Sequence, residues 1–133
     1  MARVTVVNDT PDFLELVGDI LEGDRYDTTL IDGDRDDALQ LIRASAPDLL
    51  MIDLRLGREG LSGWEIAQQV RRGREFAGLP ILICSADIQA MGQLEADLAD
   101  DRLVATLKKP FEIDELTETI DHLLDDAGLS ESF

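Results

Sequence analysis

Short apolar runs alternate with segments of helical periodicity five times along the chain. The runs carry few polar positions, as is typical of strands that are buried on both faces of a parallel sheet. The predicted strands cover residues 3–7, 26–31, 49–52, 80–84 and 103–107. The predicted helices, in which apolar residues recur at helical spacing, cover residues 11–22, 35–46, 64–72, 87–100 and 112–127. This alternation indicates an α/β protein.

The order of the elements also predicts how the sheet is assembled. Because βα crossovers are right-handed, we expect a doubly wound five-stranded parallel sheet with helices on both faces. For a chain of this size the expected strand order is the flavodoxin-like 2-1-3-4-5. The first helix has clear end signals, with Thr10 as N-cap, Pro11 at the first helical position and Gly23 beyond the end. Residues 1–127 are expected to form one domain, followed by a short tail at 128–133.

Composition narrows the classes of partner. The 133 residues include 29 acidic and 12 basic side chains, a net charge of −17, which argues against a nucleic-acid backbone as partner. No apolar run approaches the roughly 20 residues that a membrane span needs, and no signal-peptide pattern is present, so a cytoplasmic location without membrane contact is expected. The single cysteine, Cys84, lies in an apolar run and is expected to be a core thiol.

Candidate chemistry collects at the ends of the predicted strands. In doubly wound sheets the ligand site lies at the carboxyl ends of the strands, near the point where strand order reverses. The polar residues that follow the strands are Asn8, Asp9, Asp32, Asp53, Ser85, Lys108 and Lys109. Strands 1, 3, 4 and 5 are neighbours in the expected order, so Asp9, Asp53, Ser85 and one lysine should face one pocket. Alternation along a strand lets only one of the two lysines reach it.

These residue types indicate a phosphoryl-transfer site. Two carboxylates held close together require a cation or a raised pKa. A few oxygen ligands on rigid strand ends suit Mg²⁺, which keeps several of its waters and often shares phosphate oxygens. A hydroxyl and an ammonium beside the metal are groups that stabilise a transferring phosphoryl group. A carboxylate can itself serve as the covalent acceptor.

Four motifs carry a family resemblance. They are VVND, LLMIDLRLG, ILICSAD and LKKPF, in this order and each at the end of its own predicted strand. Together they resemble the receiver domain of two-component response regulators over essentially the whole chain. The resemblance implies a non-enzymatic signalling module that accepts a phosphoryl group from a phosphohistidine of a sensor kinase or phosphotransfer protein.

The resemblance also implies a role for each site residue. Asp53 would be the phosphoacceptor and a metal ligand. Asp9 would ligate Mg²⁺ directly, and the backbone carbonyl of Arg55 would complete the protein's ligands. The amide of Asn8 stands where the family usually has an acid, which should lower the affinity for Mg²⁺, although it can still hold a metal-bound water.

Three further positions follow from the same resemblance. Ser85 would hydrogen-bond the phosphoryl group and Lys109 would pair with it, with a cis peptide bond between Lys109 and Pro110. Ser85 can also be interpreted as the N-cap of the fourth helix. Thr106 stands at the family's aromatic switch position and cannot swing as a Tyr or Phe does, so output should work differently. The loop after Asp53 is about two residues longer than the common pattern.

The primary hypothesis is a stand-alone receiver that relays its signal by conformational change to a separate effector protein. The alternative is a receiver-like protein-binding module that works without phosphorylation, which Asn8 and Thr106 favour. A flavin carrier on the same fold would need glycines or hydroxyls in the first loop, where NDTPDF offers acids. A haloacid-dehalogenase-type phosphatase would need a second Asp at the position of Arg55.

Overall fold

A computed structural model describes residues 2–24, 26–34, 37–56 and 63–128. Within these ranges strands and helices alternate, and the strands form one parallel sheet in the order β2-β1-β3-β4-β5. The strands are β1 (Arg3–Asn8), β2 (Asp27–Asp32), β3 (Leu49–Asp53), β4 (Ile81–Ser85) and β5 (Val104–Lys108). The helices are α1 (Pro11–Gly23), α2 (Ala38–Ala44), α3 (Gly63–Arg71), α4 (Ile88–Asp97) and α5 (Ile113–Asp126). The predicted fold class and strand order are confirmed.

The helices cover both faces of the sheet, and the three central strands are buried along their whole length except at Arg3, the first residue of β1. On one face Val17 of α1 and Ile120 of α5 pack in a single apolar cluster with Met51 of β3. On the other face α2, α3 and α4 pack against a cluster that includes Ile52 and Ile83. This two-sided burial explains why the central strands read as continuous apolar runs.

Cys84 of β4 is a buried core thiol, as predicted. Burial raises its pKa to about 12, because the surrounding apolar groups disfavour the thiolate. The thiol is therefore not a nucleophile at neutral pH.

Several element ends differ from the sequence-based prediction. The strands β1 and β3 each run one residue further, so that Asn8 and Asp53 are their last residues. The helix α1 includes Gly23, and Asp24 follows it as C-cap. The helix α4 ends at Asp97 rather than at residue 100, and Leu98 follows it as C-cap.

Some predictions fall on residues outside the described ranges. These are the start of the second helix at residues 35 and 36, most of the long loop after Asp53 (57–62), and all but the first residue of the tail. Among the described residues, none of the helices is both long and apolar enough to cross a membrane.

Candidate functional site

The register of the sheet brings the predicted site residues to one edge. Val7 of β1 pairs with Ile52 of β3, so the next residues, Asn8 and Asp53, end neighbouring strands side by side. Asp53 in turn pairs with Cys84 of β4. The last residue of β4, Ser85, pairs with the last residue of β5. The carboxyl ends of four neighbouring strands therefore surround Asp53.

The Asp53 carboxylate is buried and accepts three hydrogen bonds from the protein. The Nζ of Lys109 lies 2.5 Å from its Oδ2, and the Nδ2 of Asn8 lies 2.9 Å from the same oxygen. The backbone N–H of Arg55 donates to its Oδ1 at 3.1 Å. These donors offset the cost of burying the charge, and the ammonium contributes a strong charge-assisted bond. Of the two lysines, Lys109 reaches Asp53, whereas Lys108 is exposed.

Asn8 is fixed by hydrogen bonds from both ends of its amide. Its side chain is only 1% exposed, and its Oδ1 accepts the backbone N–H of Thr10 at 2.8 Å. That bond sets the amide orientation, because the Nδ2 must then face Asp53. The sequence alone predicted only a water-mediated role for Asn8, and no sequence signal indicated the direct contact. Thr10 is the N-cap residue of α1 as predicted, but its side chain makes no capping bond.

The residues predicted to hold a metal lie at the same edge. Asp9 follows β1 directly and is half-buried, and the hydroxyl of Thr10 lies 3.5 Å from its Oδ1. Among the described residues, no three Asp, Glu, His or Cys side chains cluster closely enough to hold a metal ion. Two carboxylates and one backbone carbonyl are hard oxygen donors that suit Mg²⁺, since this ion keeps several waters. The donor set therefore fits Mg²⁺ without forming a complete protein cage.

Ser85 is buried at the end of β4, and its Oγ accepts the backbone N–H of Asp87 at 3.0 Å. The interpretation of Ser85 as N-cap of α4 is wrong. The helix begins at Ile88, and Asp87 is its N-cap, accepting the N–H of Ala90 at 3.0 Å. Asp ranks among the preferred N-cap residues, and its position here places the carboxylate on the free N–H of the first turn.

The guanidinium of Arg55 forms an ion pair with Asp87, which sequence reasoning missed. The pair joins the loop after β3 to the loop after β4. The Ala90 N–H and then the Arg55 guanidinium hold the pKa of Asp87 below its usual range. Both residues lie two positions beyond the last residue of neighbouring strands, which brings their loops together but does not fix the contact between the side chains.

Lys109 contacts an aromatic ring as well as Asp53. Its Nζ lies 4.1 Å from the ring centroid of Phe13, which itself packs edge-on against Phe111. The Lys109–Pro110 peptide bond is cis. Phe13 lies in the first turn of α1, outside the four sequence motifs.

Thr106 lies half-buried in β5, and its hydroxyl donates to Oε1 of Glu95 in α4 at 2.9 Å. At the position where the resembled family has an aromatic switch residue, this chain therefore has a hydrogen bond between β5 and α4.

Comparisons with known proteins agree with this arrangement. Residues 4–121 match the family model described as "Response regulator receiver domain". The chain is 33% identical to the sensor histidine kinase TmoS of Ectopseudomonas mendocina over 122 residues, 92% of this chain and 12% of the relative. It is 32% identical to the DNA-binding response regulator MtrA of Mycolicibacterium smegmatis over 121 residues, 89% of this chain and 48% of the relative. The chain therefore spans less than half the length of these relatives.

The fold also matches solved structures. The chemotaxis response regulator CheY4 of Vibrio cholerae superposes with a TM-score of 0.77 at 22% identity, covering 93% of this chain and 99% of that one. Receiver domains of two-component systems are typically non-enzymatic signalling modules. In general they accept a phosphoryl group and bind Mg²⁺. Since the family model covers most of its length, the chain belongs to the response regulator receiver domain family.

Proposed function

We propose that Asp53 accepts a phosphoryl group from a phosphohistidine of a sensor histidine kinase or phosphotransfer protein. The observation that carries this proposal is the contact between Asp53 Oδ2 and Lys109 Nζ at 2.5 Å, at the strand edge where the family motifs meet. A buried carboxylate that is held by an ammonium and two N–H donors is fixed in orientation before a donor arrives. Such preorganisation lowers the cost of reaching the transition state.

The transfer is a simple exchange of bonds. A carboxylate oxygen of Asp53 attacks phosphorus, a P–O bond forms, and the P–N bond to the donor imidazole breaks. Negative charge on the transferring oxygens needs compensating groups in a water-poor site. Lys109 supplies a positive charge and Ser85 supplies a hydroxyl, whose oxygen already accepts from the Asp87 N–H. The hydroxyl proton of Ser85 can therefore be donated to the phosphoryl group.

Mg²⁺ belongs to the proposal because the donor set fits it. The carboxylates of Asp9 and Asp53 and the backbone carbonyl of Arg55 would hold the ion. When bound, Mg²⁺ neutralises charge on the carboxylates and on the phosphoryl oxygens. Asn8 contributes no charge, so the site should bind the ion more weakly than a site with an acid at this position.

Phosphorylation is proposed to shift the balance between two conformers and so to signal to a separate effector protein. The shift starts at groups that change partners, namely the Ser85 hydroxyl and the Lys109 ammonium. The Arg55–Asp87 pair and the Thr106–Glu95 contact connect α4 to the site and to β5. A net charge of −17 disfavours direct contact of this domain with nucleic acid. A cytoplasmic location remains a prediction from the sequence.

The test is incubation with acetyl phosphate and Mg²⁺, followed by intact mass measurement. The proposal expects one added phosphate, no addition in the presence of EDTA, and no addition in Asp53→Asn. The matched control is Asp32→Asn, since Asp32 also ends a strand of the sheet, the edge strand β2. This control should keep the added phosphate. If the unmodified protein gains no mass at any donor concentration, the alternative binding module that works without phosphorylation is favoured.

A further inference from the structure

The Lys109 ammonium lies between two groups of different chemistry. One is the Oδ2 of Asp53 at 2.5 Å, and the other is the ring of Phe13, whose centroid is 4.1 Å away. We propose that Phe13 is a positioning residue, whose ring face holds the Lys109 ammonium at the phosphoacceptor. This inference rests on the proposed function of Asp53 and assigns a part in it to a residue outside the motifs.

The geometry fits an attraction between a cation and an aromatic ring. The face of an aromatic ring carries partial negative charge and attracts an ammonium within about 6 Å of its centroid. The ring of Phe13 is itself held by Phe111, with ring centroids 6.1 Å apart and planes at 82°. In this edge-to-face arrangement the positive edge of one ring meets the negative face of the other, which fixes ring orientation.

The lysine needs such a partner because its side chain is long and flexible. Holding four rotatable bonds in one conformation costs conformational entropy, and the side chain of Lys109 is still 22% exposed to solvent. Asp53 alone would not hold the ammonium in the same way throughout, because its carboxylate becomes an acyl phosphate in the proposed reaction. The ring of Phe13 does not change in that step. It therefore keeps the ammonium in place before and after phosphoryl transfer.

The elements that meet at this contact also explain its position. Phe13 lies in the first turn of α1, directly after the short loop that carries Asp9 and follows Asn8 at the end of β1. Phe111 lies in the loop after β5, two residues beyond Lys109. The ring pair thus joins the loop that holds the proposed metal ligand to the loop that holds the ammonium.

Simple apolar packing is the competing explanation for Phe13. The side chain is partly buried and packs against the apolar cluster between the sheet, α1 and α5. Leucine at this position would fill much of the same space and would keep that packing. Phe13→Leu would lose the ring face toward the ammonium and the edge-to-face contact with Phe111, whereas Phe13→Tyr would keep both. Comparison of these two variants therefore separates a role of the ring from simple apolar packing.

The first measurement is the NMR shift of the Lys109 side chain in the unphosphorylated protein. A ring face close to the ammonium should shift its ε-protons upfield. This shift should persist in Phe13→Tyr and disappear in Phe13→Leu. The second measurement is the rate of phosphorylation by acetyl phosphate with saturating Mg²⁺. We expect about a 3- to 10-fold loss of rate in Phe13→Leu and less than about 2-fold in Phe13→Tyr.

The control on the same helix is Leu16→Ala, because Leu16 is 58% exposed. This variant should change neither the Lys109 shift nor the rate. An unmodified protein without the upfield shift, or a rate in Phe13→Leu equal to that of Phe13→Tyr, would overturn the inference. If the protein without substitutions is not phosphorylated at all, the proposed function fails. The NMR shift of Lys109 is measured without phosphorylation, so it still tests the contact between Phe13 and Lys109. Should Phe13→Leu fail to fold, the upfield shift of the Lys109 ε-protons in the protein without substitutions and in Phe13→Tyr still tests the inference.

Discussion

The side-chain amide of Asn8 donates a hydrogen bond to Oδ2 of Asp53 at 2.9 Å, and the same oxygen accepts a hydrogen bond from the Lys109 ammonium. An acid at position 8 would instead place a second negative charge against Asp53. The amide turns a repulsive contact into an attractive one, so the carboxylate is held by protein donors alone. This arrangement favours a well-ordered metal-free site over a high affinity for Mg²⁺.

Asn8→Asp should therefore raise the affinity for Mg²⁺ and lower the stability of the metal-free protein. We expect Mg²⁺ to bind at least about tenfold more tightly, because one added charge near a divalent ion is worth more than about 1.4 kcal/mol. Without divalent ions the variant should lose about 1–3 kcal/mol of unfolding free energy, since a carboxylate that repels Asp53 replaces the buried amide that donated to it. Titration calorimetry and urea denaturation in EDTA measure the two effects.

The matched control is Asn8→Ala, which removes the donor but adds no charge. It should lose stability without gaining affinity for Mg²⁺. An Asn8→Asp variant with unchanged affinity and unchanged stability would mean that the contact between Asn8 and Asp53 has no energetic role.

The backbone of Asp53 is packed against the start of α3 so closely that only glycine fits there. A Cβ on Gly63 would lie 1.9 Å from the carbonyl oxygen of Asp53, and the Gly63 N–H donates to Leu54 O at 2.8 Å. Gly63→Ala should cost about 3 kcal/mol or more of unfolding free energy, because backbone must move to relieve the overlap. Urea denaturation measures this loss.

The control is Gly92→Ala inside α4, where the added Cβ would meet no atom within 4 Å outside its chain neighbours and the helix's own backbone. It should stabilise the protein by about 0.5–1 kcal/mol, because alanine loses less conformational entropy than glycine in a helix. Equal effects of the two substitutions would contradict the packing of α3 on Asp53.

Strand ends were the part of the site that could be predicted from the sequence. Asp53 and one of the two lysines were placed together because strand order and parallel direction bring the carboxyl ends of neighbouring strands to one edge. The choice of Lys109 came from the family resemblance. Contacts made by side chains across loops were not predictable in this way. The Arg55–Asp87 pair and the ring of Phe13 depend on loop geometry and rotamers, which leave no periodic pattern in the chain. The N-cap of α4 was assigned to Ser85 because capping residues occur at both 85 and 87 and the sequence does not fix the helix start.

The carboxylate of Asp87, which accepts the Ala90 N–H and pairs with Arg55, makes a prediction about pH. The folded state lowers the pKa of Asp87 from 3.8, so its charge stabilises the fold above that pH, and this contribution is lost as pH falls through the lowered pKa. Asp87→Asn should therefore be less stable than the unmodified protein at pH 7, and the difference should shrink below about pH 4. Urea denaturation across this range measures it.

A double-mutant cycle with Arg55→Met isolates the pair from the capping of α4. The coupling energy should be favourable at low ionic strength and should fall on adding salt, because the pair is near the surface. A stability difference for Asp87→Asn that stays constant between pH 7 and pH 3 would show that the carboxylate charge makes no contribution.

The central claim, that Asp53 is the phosphoacceptor, is tested most directly by locating the phosphoryl group on the chain. Borohydride reduces an acyl phosphate to an alcohol, so a phosphorylated aspartate becomes homoserine, which peptide sequencing by mass spectrometry identifies. After treatment with acetyl phosphate and Mg²⁺, homoserine is expected at position 53 and at no other acidic position. Homoserine at another aspartate with none at 53, or none anywhere in a protein that has gained phosphate mass, would contradict the assignment.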